Sequence, residues 1–252
     1  MNGLLFVAVL FSLRSVPRES AVLPHAHASV PLPRGSSILV SQLGERQYLN
    51  YQQWVELLRQ EAIAAQTAER LTVLLGDSIS LWFPPHLMPG RRTWLNQAIS
   101  GERSDGLYQR LPLLDDAPIE TVFLMVGIND LLGGVSEDQL VQNIQETVQY
   151  LRQHHPEADI VVQSILPHGA EQATWEGRDR LLELPNGRIQ SVNNALAKVA
   201  AEAGVDYLDL YPLFANGEGA LRADLSTDGL HLSERGYLVW RTAISLFMTT
   251  AL

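Results

Sequence analysis

Four short segments of the sequence combine residue types suited to nucleophilic acyl transfer. Gly76-Asp77-Ser78-Ile79 offers a hydroxyl, and Asn96-Gln97-Ala98-Ile99-Ser100-Gly101 ends on a residue without a side chain. Gly127-Ile128-Asn129-Asp130 carries a carboxamide, and Asp228-Gly229-Leu230-His231 sets an imidazole three residues after a carboxylate. Cleaving an ester in this way requires a nucleophile beside a base, with hydrogen-bond donors aimed at the developing oxyanion. Taken singly each segment is weak, because GDS tripeptides form turns, GxND is a frequent loop composition and DxxH arises by chance. Their value depends on what carries them.

The elements between the segments alternate in character. Residues 48–67 place Tyr51, Trp54, Val55, Leu58 and Ala62 at helical spacing. Residues 71–75 (LTVLL), 121–126 (TVFLMV), 160–165 (IVVQSI) and 205–210 (VDYLDL) read as strands, with 93–98 (TWLNQA) a weaker one. Helices are expected at 136–153, opened by Ser136 as N-cap, at 189–203, stopped by Gly204, and at 233–249. Residues 168–187 read as a polar loop containing Trp175. Strands apolar on both faces and separated by helices indicate a parallel sheet covered on each side. Ligands of such sheets lie at the carboxyl ends of the strands, and the segments follow strands in that way.

Taken together and in order, the segments resemble the four sequence blocks of the SGNH (GDSL) hydrolase family, from residue 71 to the C-terminus. DGLHLSERGY and GINDL are particularly similar to its bacterial esterase, thioesterase and platelet-activating-factor-acetylhydrolase-like branches. The resemblance implies an α/β fold of three layers, α/β/α, around a flavodoxin-like parallel sheet of about five strands. It also implies a serine esterase or lipase-type hydrolase with Ser78, Asp228 and His231 as catalytic residues. His231 would take the Ser78 proton and return it to the leaving alcohol, while Asp228 fixes the imidazole tautomer. The Ser78 and Gly101 backbone N–H groups and the Asn129 side chain would form the oxyanion hole, where one donor is worth ~3 kcal/mol.

Asp77 reads as a loop-fixing acceptor and Asp130 as a brace for the loop of Asn129. Trp82 and Phe83 are candidate substrate-binding residues, as an apolar wall for an acyl group, with core packing as the alternative. Trp175 is either a lid over the site or an anchor of its loop, and Arg103 a solvated charge.

The 252 residues allow one catalytic domain, expected at 48–252, behind an apolar leader at 1–14 and a Pro/Ser-rich linker at 15–47. Residues 3–13 are too short for a conventional membrane span but fit the apolar core of a signal peptide or a membrane anchor. Ala26-His27-Ala28 offers a cleavage site. The chain is thus expected to be exported or membrane-attached, and otherwise cytoplasmic. A net charge of −10 argues against a nucleic-acid partner, and the lack of cysteine excludes disulfides and thiolate sites. No metal or other cofactor is implied. The expected partner is a small ester: an acyl ester of short to medium chain, a lipid or an acetylated sugar. The competing readings are a carbohydrate O-acetyl esterase with the same triad and a non-catalytic binding protein on the same fold.

Overall fold

A computed structural model describes residues 49–251. The leader expected at 1–14 and the linker at 15–47 lie outside the described residues. In chain order the main elements are α1 (Tyr51–Ala64), β1 (Leu71–Gly76), α2 (Ser78–Leu81), β2 (Thr93–Asn96), α3 (Ser104–Gln109) and β3 (Ile119–Met125). There follow α4 (Ile128–Leu132), α5 (Glu137–His154), β4 (Asp159–Gln163), α6 (Arg178–Leu182), α7 (Asn186–Ala203), β5 (Asp206–Leu208), α8 (Tyr211–Phe214) and α9 (Glu234–Thr250).

All strand pairs are parallel, in the order β2–β1–β3–β4–β5. The apolar runs explain both faces. On one face Val73, Leu75, Val122, Leu124, Ile160 and Val162 pack with Leu140, Ile144 and Leu151 of α5 and Val192 and Leu196 of α7. On the other, Leu74, Phe123 and Val161 pack with Phe83 and with Tyr237, Trp240 and Ile244 of α9. Successive strand residues point to opposite faces, so one sheet serves two cores. This is the three-layer α/β/α arrangement. Each large side chain removed from water contributes roughly 1.5–3 kcal/mol, and Phe123→Ala, in the central strand, would cost ~3–5 kcal/mol.

The helix signals act as expected. Ser136 caps α5 by accepting the Gln139 N–H at 3.2 Å, Gly204 closes α7 in the left-handed conformation, and Ser233 caps α9. Two expectations change. The weak strand stops at Asn96, where the Asn96 side chain turns back to donate to the Ser80 carbonyl at 2.8 Å. The polar segment 168–187 contains a 3-10 turn, Ala170–Gln172, and the helix α6.

Candidate active site

The order of strands reverses between β1 and β3, opening a crevice at their carboxyl ends. Ser78 is the first residue of α2, directly after β1, so its N–H precedes the first intrahelical bond. Asp77 caps that turn by accepting the Ile79 N–H at 3.0 Å, as a loop-fixing acceptor should. It is almost fully buried, and burial pushes its carboxyl up to about 7, against the opposing pull of the Ile79 amide.

The Ser78 hydroxyl lies 3.1 Å from His231 Nε2, and His231 Nδ1 lies 2.7 Å from Asp228 Oδ2. The other carboxylate oxygen of Asp228 accepts the Leu230 and His231 backbone N–H groups at 2.9 and 2.8 Å. Partial burial alone would raise the Asp228 carboxyl, but the ring and these two amides bring it below the ordinary value. An ionised Asp228 only accepts, so the network assigns the imidazole proton to Nδ1 and leaves Nε2 to accept from the serine. The turn itself is tied down. Ser226 Oγ accepts the Gly229 N–H and donates to the His231 carbonyl, both at 2.7 Å.

Gly101 has φ +75, a left-handed conformation that favours glycine, and open space where a Cβ would stand. The requirement there is therefore conformational rather than steric. Asn129, in α4, donates through Nδ2 to the Glu102 carbonyl at 3.1 Å, which holds its amide beside the Gly101 loop. One of its two N–H groups serves that bond, so the other is available.

Around the loop stands a support of which sequence reasoning named only Asp130. Arg110 Nε donates to both oxygens of Glu102 at 2.8 and 3.0 Å, and the Tyr51 hydroxyl donates to the same carboxylate at 3.2 Å. The Ser104 N–H and hydroxyl both donate to Asp130, and Asn143 of α5 donates to Ser104 Oγ at 2.8 Å. Burial raises the Asp130 carboxyl despite the Ser104 donors. Glu102 and Arg110 are eight residues apart on either side of α3, and Asn143 lies on another helix, so no local pattern announces these contacts.

The two candidate wall residues part company. Trp82 is 41% exposed, with its ring 4.3 Å from the His231 ring and tilted by 36°. Phe83 is 1% exposed and packs on Tyr237 and Trp240. Phe83 is therefore a core residue, the alternative reading of its position. Trp175 anchors its segment: it packs against the main core under the Arg180 guanidinium, 5.0 Å from its ring centre. Arg103 pairs with Asp105 at 3.2 Å on the surface.

A family model described as the GDSL-like Lipase/Acylhydrolase family matches residues 35–239. Platelet-activating factor acetylhydrolase IB subunit alpha1 of Bos taurus is 25% identical over 197 residues, 73% of this chain and 77% of that protein. The Homo sapiens counterpart is 25% identical over 198 residues, 73% and 78% of the two chains. Among solved structures, a GDSL-like lipase from Bacteroides thetaiotaomicron superposes with a TM-score of 0.69 at 21% identity, over 81% of this chain and all (100%) of that one. A Streptococcus pneumonia protein described by reference to platelet activating factor gives a TM-score of 0.73 at 23% identity, over 84% and 100%. At these identities the structural likeness speaks for the fold.

Proposed function

The chain belongs to the GDSL-like lipase/acylhydrolase family, and on that premise we propose that it is a serine esterase acting through Ser78, His231 and Asp228 on short to medium acyl esters. The observation that carries the reading is the unbroken relay from Ser78 Oγ to His231 Nε2 at 3.1 Å and from His231 Nδ1 to Asp228 at 2.7 Å.

In the first half-reaction Ser78 Oγ attacks the ester carbonyl while its proton passes to His231 Nε2. The ionised Asp228 stabilises the imidazolium so formed. The carbonyl oxygen becomes an oxyanion received by the Ser78 and Gly101 N–H groups and the free N–H of Asn129. The tetrahedral intermediate collapses, the alkoxide takes the proton from His231 and leaves as alcohol, and Ser78 carries the acyl group. Water then gives its proton to His231 and attacks the acyl-enzyme carbonyl; the second tetrahedral intermediate collapses, the acid leaves, and His231 returns the proton to Ser78 Oγ. The acetylhydrolase name of the curated relatives supports a short acyl group. The exposed Trp82 ring beside His231 supports an apolar wall at the entrance.

The test is hydrolysis of p-nitrophenyl esters from acetate to palmitate by the wild type and Ser78→Ala, with labelling by a serine-directed phosphonate. Activity on the short esters and a single phosphonate adduct, both lost in Ser78→Ala, are the expected results. Equal turnover in the two forms would mean that another residue is the nucleophile.

A further inference from the structure

The segment that follows β4 does more than connect it to α7. Gly169 donates its N–H to the Gly229 carbonyl at 2.6 Å, and Thr174 and Trp175 both donate theirs to the Asp228 carbonyl, at 2.8 and 2.9 Å. The contact surface is made of small residues: a Cβ on Gly229 would lie 2.5 Å from Ala173 Cα, and one on Gly169 would lie 3.0 Å from Gly229 Cα. The segment is itself pinned. His168 is 1% exposed; its Nε2 meets the Leu184 carbonyl at 2.6 Å and its Nδ1 accepts the Ala170 N–H at 3.1 Å. Asn186 brackets the His168 backbone, accepting its N–H at 3.0 Å and donating to its carbonyl at 2.9 Å. Burial lowers the His168 pKa, in keeping with a neutral ring that donates at one nitrogen and accepts at the other.

Ala170 has φ +49, a conformation costing a non-glycine residue about 1–2 kcal/mol. Strain of this kind persists only where surrounding contacts over-determine it. Here the contacts on both sides are the His168 latch and the bonds to the Asp228–Gly229 backbone.

We propose that residues 168–175 are a positioning clamp, whose three backbone hydrogen bonds to Asp228 and Gly229 keep the Asp228 carboxylate aligned with the His231 ring. The clamp touches neither substrate nor the reacting atoms and acts through Asp228. This inference rests on the assignment of Ser78, His231 and Asp228 made above.

Two substitutions press on the clamp from inside. Gly169 has φ −74, so Gly169→Ala is conformationally permitted, yet its Cβ must displace the Gly229 backbone by a few tenths of an ångström. Ala173→Val pushes harder against the same glycine. Since a 1 Å misplacement costs on the order of 10²-fold in rate, kcat should fall about fivefold in Gly169→Ala and further in Ala173→Val. KM should stay within about twofold, because ground-state binding is untouched. The far-downfield proton resonance of the His231 Nδ1–H···Asp228 hydrogen bond should shift or broaden in both, at unchanged far-UV circular dichroism. Should Ala173→Val fail to fold, Gly169→Ala carries the test. An unchanged resonance and kcat in folded Gly169→Ala would overturn the clamp, as would a kcat loss explained wholly by a smaller folded fraction. The resonance needs no substrate. Failure of the clamp is thus separable from failure of the esterase reading, which Ser78→Ala decides.

Discussion

Replacing Asp77 by Asn should change how the stability of this protein depends on pH, and the size of the change follows from one buried carboxyl. The unfolded chain releases the Asp77 proton near 3.8, whereas the folded chain holds it to about 7. The cause is first of all burial, with the charges of Asp130 and Glu102 adding to it. Between those values the folded state binds the extra proton, so the stability at this site is greatest in acid and falls as pH rises. A difference of roughly three units at ~1.36 kcal/mol each puts the full loss at about 4 kcal/mol once pH exceeds 7. That is a large share of a typical domain stability of ~5–15 kcal/mol.

Asp77→Asn keeps an oxygen for the Ile79 N–H and removes the titration. Urea unfolding of both forms at several pH values from 5 to 8 measures the outcome. The stability of the wild type minus that of the variant should decline by about 2.5 kcal/mol across this range, most of it below pH 7. A new amide N–H without an acceptor would shift all the values together by about 1–3 kcal/mol, so the slope is the readout and the offset is not. Parallel curves would show that Asp77 is already ionised in the folded protein, and the argument from burial would then be refuted. The same proton bears on the proposed chemistry, since below pH 7 the neutral acid puts no charge beside Ser78.

Asn129→Ala removes a donor of the proposed oxyanion hole, and kcat should fall by about 10²–10³ with KM nearly unchanged; steady-state kinetics on p-nitrophenyl acetate reads the split, and a change in KM alone would argue for a binding role. Glu102→Gln leaves Arg110, whose side chain is 3% exposed, without its counter-charge. Chemical denaturation should show a loss of about 3–5 kcal/mol, and a loss below ~1 kcal/mol would mean that water reaches the pair.

How much of this was legible in sequence differs from element to element, for physical reasons. The central strands were readable because both of their faces are buried: Val73 and Leu75 face one core and Leu74 the other. The run is then continuously apolar. Helix α5 was readable because its apolar residues repeat every three or four positions behind a serine cap. The segment 168–187 was not, because its order comes from single contacts without a period: Leu184 and Asn186 at its far end for His168, and Asp228 outside it for Thr174. Its polar residues, Glu171, Gln172, Glu176 and Asp179 among them, do face water, so composition gives no hint of the buried His168 that orders the segment.

The candidate site divides in the same way. Ser78, Asn129, Asp228 and His231 could be named because each is a chemically distinctive type held at the end of a strand or in a short turn. Trp82 and Phe83 could not be told apart, since both are apolar aromatics. At the end of α2 adjacent side chains leave in different directions, one toward His231 and the other into the core. Of the residues that hold the site still, Asp77 and Asp130 were readable because they stand beside Ser78 and Asn129, whereas the others carried no signature. Glu102 and Arg110 look like ordinary surface charges in the sequence, yet they form a buried pair at the residue that follows Gly101. Reactive groups are recognised by what they are, and supporting groups that lie outside the motifs only by what they touch. It follows that a substitution such as Gly169→Ala or Glu102→Gln, which alters no reacting atom, is where sequence-based expectation and measured behaviour of this protein should diverge most.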